Sequence, residues 1–249
     1  MLKEERHQII LRKVLLHNRV LLGDLAEHLN VSVDTVRRDV KELDRSGKLK
    51  KVHGGAVSLE YKFFPYDEQE FYLHTKKKVI ARKAVKLIKN NQVLLIGGGT
   101  TSLELINEIS PKLKLTVFTP SLPVAWKLTS LPNIEVIFIG GKISRDSQVS
   151  VGGSALRFLS DIKVDICFLG TGNIDASFGI SEMDWEIVQL KKAMIDASKK
   201  TVLLTISEKL NSTQSYKICD ISQLDTLVTE LKPDSDILKD YKNQKIDIL

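Results

Sequence analysis

Apolar positions in the first sixty residues recur at helical spacing and then give way to a short alternating run. Leu2 to His17 carries Ile9, Ile10, Val14 and Leu15 among charged residues, which predicts an amphipathic helix. Leu22 to Leu29 is a shorter one, with Leu22, Leu25, Ala26 and Leu29 on a single face. Beyond a connection of a few residues, Val36, Val40 and Leu43 fall at i, i+4 and i+7, the spacing of one buried stripe. Ser32 stands at the N-cap of this third helix, where a hydroxyl accepts from an unpaired first-turn amide. Asp34 lies near the positive end of the helix dipole, and Gly47 can close the far end. Leu49, Lys50 and Val52 then alternate up to a Gly54-Gly55 turn, which predicts a short basic hairpin. Two helices joined by a tight turn and followed by a hairpin make a small winged helix-turn-helix.

From residue 76 the pattern changes to strands alternating with helices. A helix opens at Lys76-Lys77-Lys78 and continues to Ile88, and its lysine run is read as a solvated start. Apolar strands are predicted at Gln92–Ile96, Leu115–Thr119, Ile134–Ile139, Val164–Leu169, Thr201–Ile206 and Thr226–Thr229. Helices are predicted after Gly99, after Pro120 and from about Glu182 to Ser198, with a short helix and a frayed end after Pro233. Such alternation implies a doubly wound, mostly parallel sheet. The expected architecture is therefore α/β. Residues 1–57 form the winged helix-turn-helix, 58–75 a connector, and 76–249 a doubly wound α/β domain. The connector holds Tyr61, Phe63, Phe64, Tyr66, Phe71 and Tyr72, six of the chain's aromatics. A free linker is polar and small, so this one is expected to dock on a domain or a partner subunit.

Charge sharpens the picture of the head. Residues 1–57 hold 12 Lys/Arg against 8 Asp/Glu, and the remainder 25 against 23, so most of the net +6 lies in under a quarter of the chain. That is where a polyanionic partner needs it. At 100° per residue, Asp34, Arg38, Lys41 and Arg45 oppose the buried stripe, with Arg37 and Thr35 on its flanks. Ser32, Asp34, Thr35, Arg37, Arg38, Lys41 and Arg45 on the helix, with Lys50, Lys51, His53 and Gly54 on the wing, are the candidate contacts to double-stranded DNA. Arginine suits guanine edges and phosphates alike, so both modes stay open. A basic helix face alone is often only a wet surface. Here cap, turn, helices and wing occur in order within sixty residues.

Cys167 and Cys219 have neither a metal spacing nor a disulfide framework, and Cys167 lies in an apolar run. No cofactor or metal is expected. No signal sequence and no long apolar span occur, so the expected location is the cytoplasm, away from membranes.

Several strands of the second domain end in glycine, serine or threonine, and open α/β sheets bind ligands beyond the carboxyl ends of their strands. Gly97-Gly98-Gly99 lets backbone amides approach an anion at a helix N-terminus, and Thr100 and Thr101 add hydroxyls. One glycine-rich turn can simply pack strand against helix. Gly140-Gly141-Lys142, Ser150-Val151-Gly152 and Gly170-Thr171-Gly172 on the same rim favour an anion site.

The run Ser32, Thr35, Val36, Arg37, Arg38, Asp39 and the segment His53-Gly54-Gly55-Ala56 resemble the N-terminal signature of the DeoR family of bacterial transcriptional regulators, and the similarity continues through most of the chain. The resemblance implies a sensor domain with a fold similar to sugar-phosphate isomerases. Matching positions include Gly99-Thr100-Thr101, Ser121-Leu122, Gly140-Gly141, Gly152, Phe168-Leu169-Gly170, Ile174-Asp175, Gly179, Lys191, Met194, Ser207 and Lys209. By that resemblance these contact a phosphorylated sugar or a similar anionic metabolite, the effector of a repressor that works as a dimer or tetramer. Paired half-sites need paired heads.

The chain departs from the family pattern at five positions. Lys76 replaces a frequent Glu, and Gly97 an acidic residue. Pro120 stands for Asn, Gly172 for Asp, and Ile206 for the Asp before the Ser-Ser-Lys-like stretch. Carboxylates and amides read sugar hydroxyls, whereas glycines and threonines suit phosphate. Anion binding is expected to persist with changed sugar-reading groups. The competing reading is an isomerase with a DNA-binding head. Proton transfer beside a carbonyl needs a positioned base, and only Asp175 lies in the relevant turn, with Glu182 and Asp184 nearby. An enzyme is therefore not expected.

Overall fold

In the computed structural model, residues 1–17, 19–59, 68–244 and 246–249 are described, with 68–72 as backbone only. The chain divides into two units, Met1–Pro65 and Tyr66–Leu249.

The first unit runs α1 (Lys3–His17), β1 (Arg19–Leu21), α2 (Leu22–Leu29), α3 (Val33–Arg45), β2 (Lys50–Val52) and β3 (Gly55–Val57). Its core is the union of the helical stripes: Ile10 and Val14 from α1, Leu25 and Leu29 from α2, and Val36, Val40 and Leu43 from α3, closed by Leu49 and Ala56. Asn30 ends α2 in the left-handed region, at φ 50°, which turns the chain sharply into α3. The wing is larger than the hairpin expected from sequence. β1 joins it to make an antiparallel sheet of order β1-β3-β2, with Val20 opposite Ala56. Three residues between two helices are too few to show an alternating pattern. Gly55 is required at this crossing, since a Cβ there would fall 2.2 Å from the carbonyl oxygen of Val20.

The second unit opens with α4 (Glu68–Ala84), which begins eight residues before Lys76. The start expected from sequence was too late. It continues through β4 (Val93–Ile96), α5 (Thr100–Glu108), β5 (Leu115–Thr119), α6 (Leu122–Leu128), β6 (Ile134–Phe138), β7 (Lys142–Ser144), β8 (Val149–Val151) and α7 (Gly153–Ser160). Then come β9 (Ile166–Gly170), β10 (Asn173–Asp175), β11 (Gly179–Glu182), α8 (Trp185–Asp196), β12 (Thr201–Leu204), β13 (Tyr216–Cys219), β14 (Thr226–Val228), α9 (Lys239–Lys242) and β15 (Asp247–Ile248). Seven strands form one sheet of order β15-β14-β12-β9-β4-β5-β6, and every pairing in it is parallel. Central strands such as β9 and β12 are continuous apolar runs because both their faces are covered.

Two antiparallel additions were not anticipated: the hairpin β7–β8 and the small sheet β10-β11-β13. The C-terminal end is a second correction, for it is paired rather than frayed. β15 extends the main sheet, Leu249 donates its amide to the Leu227 carbonyl at 3.0 Å, and Tyr241 is fully buried. The Tyr241 hydroxyl donates to the Ile174 carbonyl at 3.1 Å and accepts from the Asn211 amide at 3.0 Å. Tail-to-body hydrogen bonds of this kind leave no mark in a hydrophobic pattern. The expectation of a docked aromatic connector rests on Tyr61, Phe63, Phe64 and Tyr66, which lie outside the described residues, as do the side chains of Phe71 and Tyr72. No helix among the described residues is long and apolar enough to cross a membrane.

Candidate nucleic-acid interface and candidate effector site

The Ser32 hydroxyl caps α3, accepting from the Thr35 amide at 3.2 Å and lying 2.9 Å from the Thr35 hydroxyl. Thr35 is half-buried and belongs to this cap. Arg37, Arg38, Lys41 and Arg45 are exposed along α3, while Lys50, Lys51, His53 and Gly54 are exposed on the wing. Arg37 pairs with Asp34 one turn away, so Asp34 orients an arginine as well as complementing the dipole. The Lys51 amide donates to Asp44 at 3.0 Å, which ties the root of the wing to the end of α3.

Sequence reasoning missed how α3 is held. Asp39 is 3% exposed. Its carboxylate accepts from Arg6 Nε at 2.8 Å and from the terminal guanidinium nitrogen at 3.1 Å, and His7 Nε2 lies 3.2 Å away. A bidentate fork of this kind fixes orientation as well as charge. The signal was present, because Asp39 lies three residues after Val36 and four before Leu43, on the buried stripe itself.

In the second unit the chain proceeds from β4 to β5 and β6 in one direction, and from β9 to β12, β14 and β15 in the other. The switch point of the sheet thus falls between β4 and β9, where open α/β sheets bind ligands. Gly97-Gly98-Gly99 follows β4 there, and Gly170 ends β9. The Gly97 amide donates to the Phe168 carbonyl at 2.9 Å, and a Cβ on Gly170 would stand 3.5 Å from the Gly98 carbonyl oxygen. Gly98 is crowded from the other side, for a Cβ on it would fall 2.7 Å from Val149 Cγ1. Gly99, at φ 122°, sets the first turn of α5, and Thr100 and Thr101 follow half-buried. Gly152, at φ 86°, precedes α7 in the same way.

Two lysines join this rim. Lys209 Nζ donates to the Thr171 carbonyl at 3.0 Å, and Lys191 Nζ lies 3.0 Å from Glu182. Burial alone would raise the Glu182 carboxyl. The Lys191 charge and hydrogen bond, the Met183 amide and the Lys209 charge together hold it below the ordinary carboxylate range. Glu182 is a residue the sequence suggested only as a neighbour of Asp175.

Other candidates have structural partners. The Ser121 hydroxyl is buried and caps α6, accepting from the Val124 amide at 3.5 Å, so Leu122 opens that helix exposed. The Ser150 hydroxyl is buried and donates to the Ile139 carbonyl beside Gly141. Gly140 and Lys142 are exposed, and Lys142 reaches Glu186 at 2.8 Å. Asp175 closes the β10–β11 turn, accepting from the Ser177 amide and hydroxyl at 2.9 and 2.7 Å and from the Phe178 amide at 2.8 Å. Those three bonds hold its carboxyl below the ordinary range. Ser207 donates its amide to Glu230 at 3.0 Å and its hydroxyl to the same carboxylate.

The departures at positions 76 and 97 have visible surroundings. Lys76 lies between Glu208 and Glu230, 3.0 Å from the latter. Gly97 faces Met194 Cε and the Phe168 carbonyl, each 3.4 Å from where a Cβ would stand. Ile206 is buried. Among the described residues, no cluster of His, Cys, Asp and Glu could hold a metal ion. Burial pushes the Cys219 thiol up to about 12 and the Cys167 thiol higher still.

A capped basic helix with a wing, followed by a parallel α/β unit with a glycine-lined switch point, defines a DNA-binding transcriptional regulator with a sensor domain. The DeoR-like helix-turn-helix domain model matches residues 6–62, and the DeoR C terminal sensor domain model matches residues 73–231. The chain belongs to the DeoR family. It is 30% identical over 241 residues to the HTH-type transcriptional regulator GolR of Listeria innocua, covering 96% of this chain and 95% of that one. It is 29% identical over 241 residues to the glycerol-3-phosphate regulon repressor of Escherichia coli, with coverage of 96% and 95%. A solved ribose 5-phosphate isomerase A from Neisseria gonorrhoeae aligns with 55% of this chain and 53% of its own at a TM-score of 0.41 and 18% identity.

Proposed function

We propose that this regulator is a repressor of a carbohydrate or related metabolic operon, acting on the chromosome in the cytoplasm and released by a phosphorylated small molecule. The supporting observation is the meeting at the switch point of Gly97–Gly99 and Gly170-Thr171 with Lys209, beside the Lys191–Glu182 pair. Backbone amides and two ammonium groups suit a phosphate. The departures at Gly97, Gly172 and Ile206 remove carboxylates that would read sugar hydroxyls, so Glu182, paired with Lys191, is left as the polar group beside the anion. In this reading Lys191, Lys209, Thr171, Thr100 and Thr101 hold the effector, while Ser121, Ser150, Ser207 and Asp175 shape the loops around it. The heads contact an operator through Arg37, Arg38, Lys41 and Arg45, with Lys50, Lys51 and His53 on the flanking backbone, and they act in pairs.

The same site favours sensing over turnover. Asp175, the candidate base, takes three hydrogen bonds on Oδ1, from the Ser177 amide and hydroxyl and the Phe178 amide, which make it a weaker base, and Glu182 is engaged by Lys191. Calorimetry with a panel of phosphorylated sugars and polyols, repeated in the presence of a bound operator duplex, tests the proposal. At least one compound is expected to bind and to weaken operator affinity. Binding of none, or conversion of one to an isomer, would overturn it.

A further inference from the structure

One apolar side chain stands among the charges of α3. Val33 opens the helix and is 41% exposed, whereas Val31, two residues earlier, packs against the core of the head. An exposed valine adds little to stability, and a β-branched side chain is a weak helix former. Single exposed apolar residues are ordinary, so the place of this one matters more than its exposure. The Ser32 cap fixes the first turn of α3. In a helix-turn-helix, the N-terminal residues of the second helix are the ones that meet base edges in the major groove. Val33 heads the row Val33, Arg37, Lys41, each about one turn beyond the last and all exposed.

The arginine in this row has an acid beside it. Arg37 donates through Nη1 to Asp34 Oδ1, and both side chains are more than half exposed. Such an acid weakens contact with a phosphate, because the charge that draws Arg37 repels Asp34. It does not weaken contact with guanine in the same way. The acceptors O6 and N7 are neutral, and the guanidinium meets them with two parallel donors. Asp34 engages Nη1, so it steers the edge formed by Nε and Nη2 without occupying it. A valine beside that edge suits the one apolar group that a base pair shows in the major groove, the thymine 5-methyl.

We infer that the start of α3 reads a thymine and a guanine in each half-site. Val33 packs against the thymine 5-methyl, and Arg37, steered by Asp34, pairs with guanine O6 and N7. Residues one turn apart have Cβ atoms about 5–6 Å from each other, against about 3.4 Å per base pair. The two bases are therefore neighbours or next neighbours. The inference rests on α3 being the reading helix, and Arg38→Ala tests that reading separately.

The test uses the full chain and a duplex selected from a random pool. Each thymine is replaced singly by uracil, which pairs in the same way and lacks only the methyl. At one thymine per half-site this is expected to weaken wild type by about threefold or more, and to leave Val33→Ala, already weaker, unchanged. At a guanine one or two base pairs away, 7-deazaguanine lacks the N7 acceptor. It is expected to weaken wild type by about fivefold or more and to leave Arg37→Ala unchanged. Arg37→Ala should also keep the wild-type salt slope, since a base contact releases no condensed counterions. Circular dichroism with a thermal melt checks that each variant is folded. The altered bases leave the protein untouched, so wild type alone gives an answer if a variant does not fold. Uracil without effect at every thymine, or with equal effect on wild type and a folded Val33→Ala chain, would overturn the inference. So would 7-deazaguanine without effect, or a salt slope lowered by about one in Arg37→Ala. If these fail while Arg38→Ala still weakens binding, α3 remains the reading helix. If Arg38→Ala is neutral too, or the pool yields no preferred duplex, both fall together.

Discussion

The Arg6 guanidinium grips the Asp39 carboxylate with two hydrogen bonds, 2.8 and 3.1 Å long, and so fastens the first helix of the head to the helix that carries its basic face. Asp39 is almost wholly buried, whereas Arg6 keeps some access to water. Removing one partner leaves the other desolvated and unpaired, which costs more than the intact pair contributes. Asp39→Ala is expected to destabilise the head by about 2–4 kcal/mol, towards the lower end for buried pairs because Arg6 is partly solvated. Urea unfolding followed by circular dichroism should show an early transition from the head, with the sensor transition unmoved. A single unshifted transition would show that the clamp does little.

Arg38 is exposed opposite the buried stripe of α3. Arg38→Ala is expected to weaken binding to a specific duplex by about 1–3 kcal/mol. Fluorescence anisotropy at several salt concentrations separates its two possible contacts. A phosphate contact lowers the slope of log affinity against log salt by about one, whereas a base contact relaxes sequence preference instead. Affinity and slope both equal to wild type would remove α3 from the reading face.

Lys209 is bonded to the Thr171 carbonyl, next to the glycine that ends β9, and Lys191 to Glu182. Millimolar inorganic phosphate is expected to raise the melting temperature of the sensor transition, as any ligand of the native state does. Lys209→Ala should abolish that rise, and Glu182→Gln should enlarge it, because it removes a carboxylate that competes for Lys191. Equal rises in all three proteins would move the anion site elsewhere.

Acid is expected to loosen the sensor through two carboxylates. Glu182 and Glu230 both titrate below their ordinary value of 4.5. For Glu230, burial pushes the carboxyl up, and the hydrogen bonds from Ser207 and Lys76 outweigh it. A depressed folded-state value means the native state prefers the charged form. The stabilisation is therefore complete above pH 4.5 and is lost as the pH falls below it. Melting temperature against pH should drop more steeply in wild type than in Glu230→Gln over that acid range. Parallel curves would show that the Lys76–Glu230 contact contributes no net stability.

Much of the head was legible because its determinants are local. The stripe Val36, Val40, Leu43 and the Ser32 cap define α3 from neighbouring residues alone. Arg6 and Asp39 lie 33 residues apart, and no periodicity announces which arginine a buried aspartate will meet. The parallel sheet was legible from its apolar runs, and the switch point from the glycines that end β4 and β9. The β7–β8 and β10–β11 hairpins escaped notice because strands of three residues carry too few positions to alternate. The C-terminal strand escaped because its order comes from hydrogen bonds to Leu227 and Thr229 and from the burial of Tyr241. The candidate effector rim was half legible. Its glycines could be read directly, but composition alone did not distinguish Ser121 and Ser150, which cap and brace loops, from Lys191 and Lys209, which reach Glu182 and the Thr171 carbonyl.

Equilibrium binding of the full chain to the duplex it selects from a random pool, set against unselected duplex at moderate salt, tests the central claim most directly. The account predicts a preference of at least about a thousandfold, lowered when a phosphorylated effector is added. Equal affinity for selected and random duplex, with or without metabolites, would contradict it.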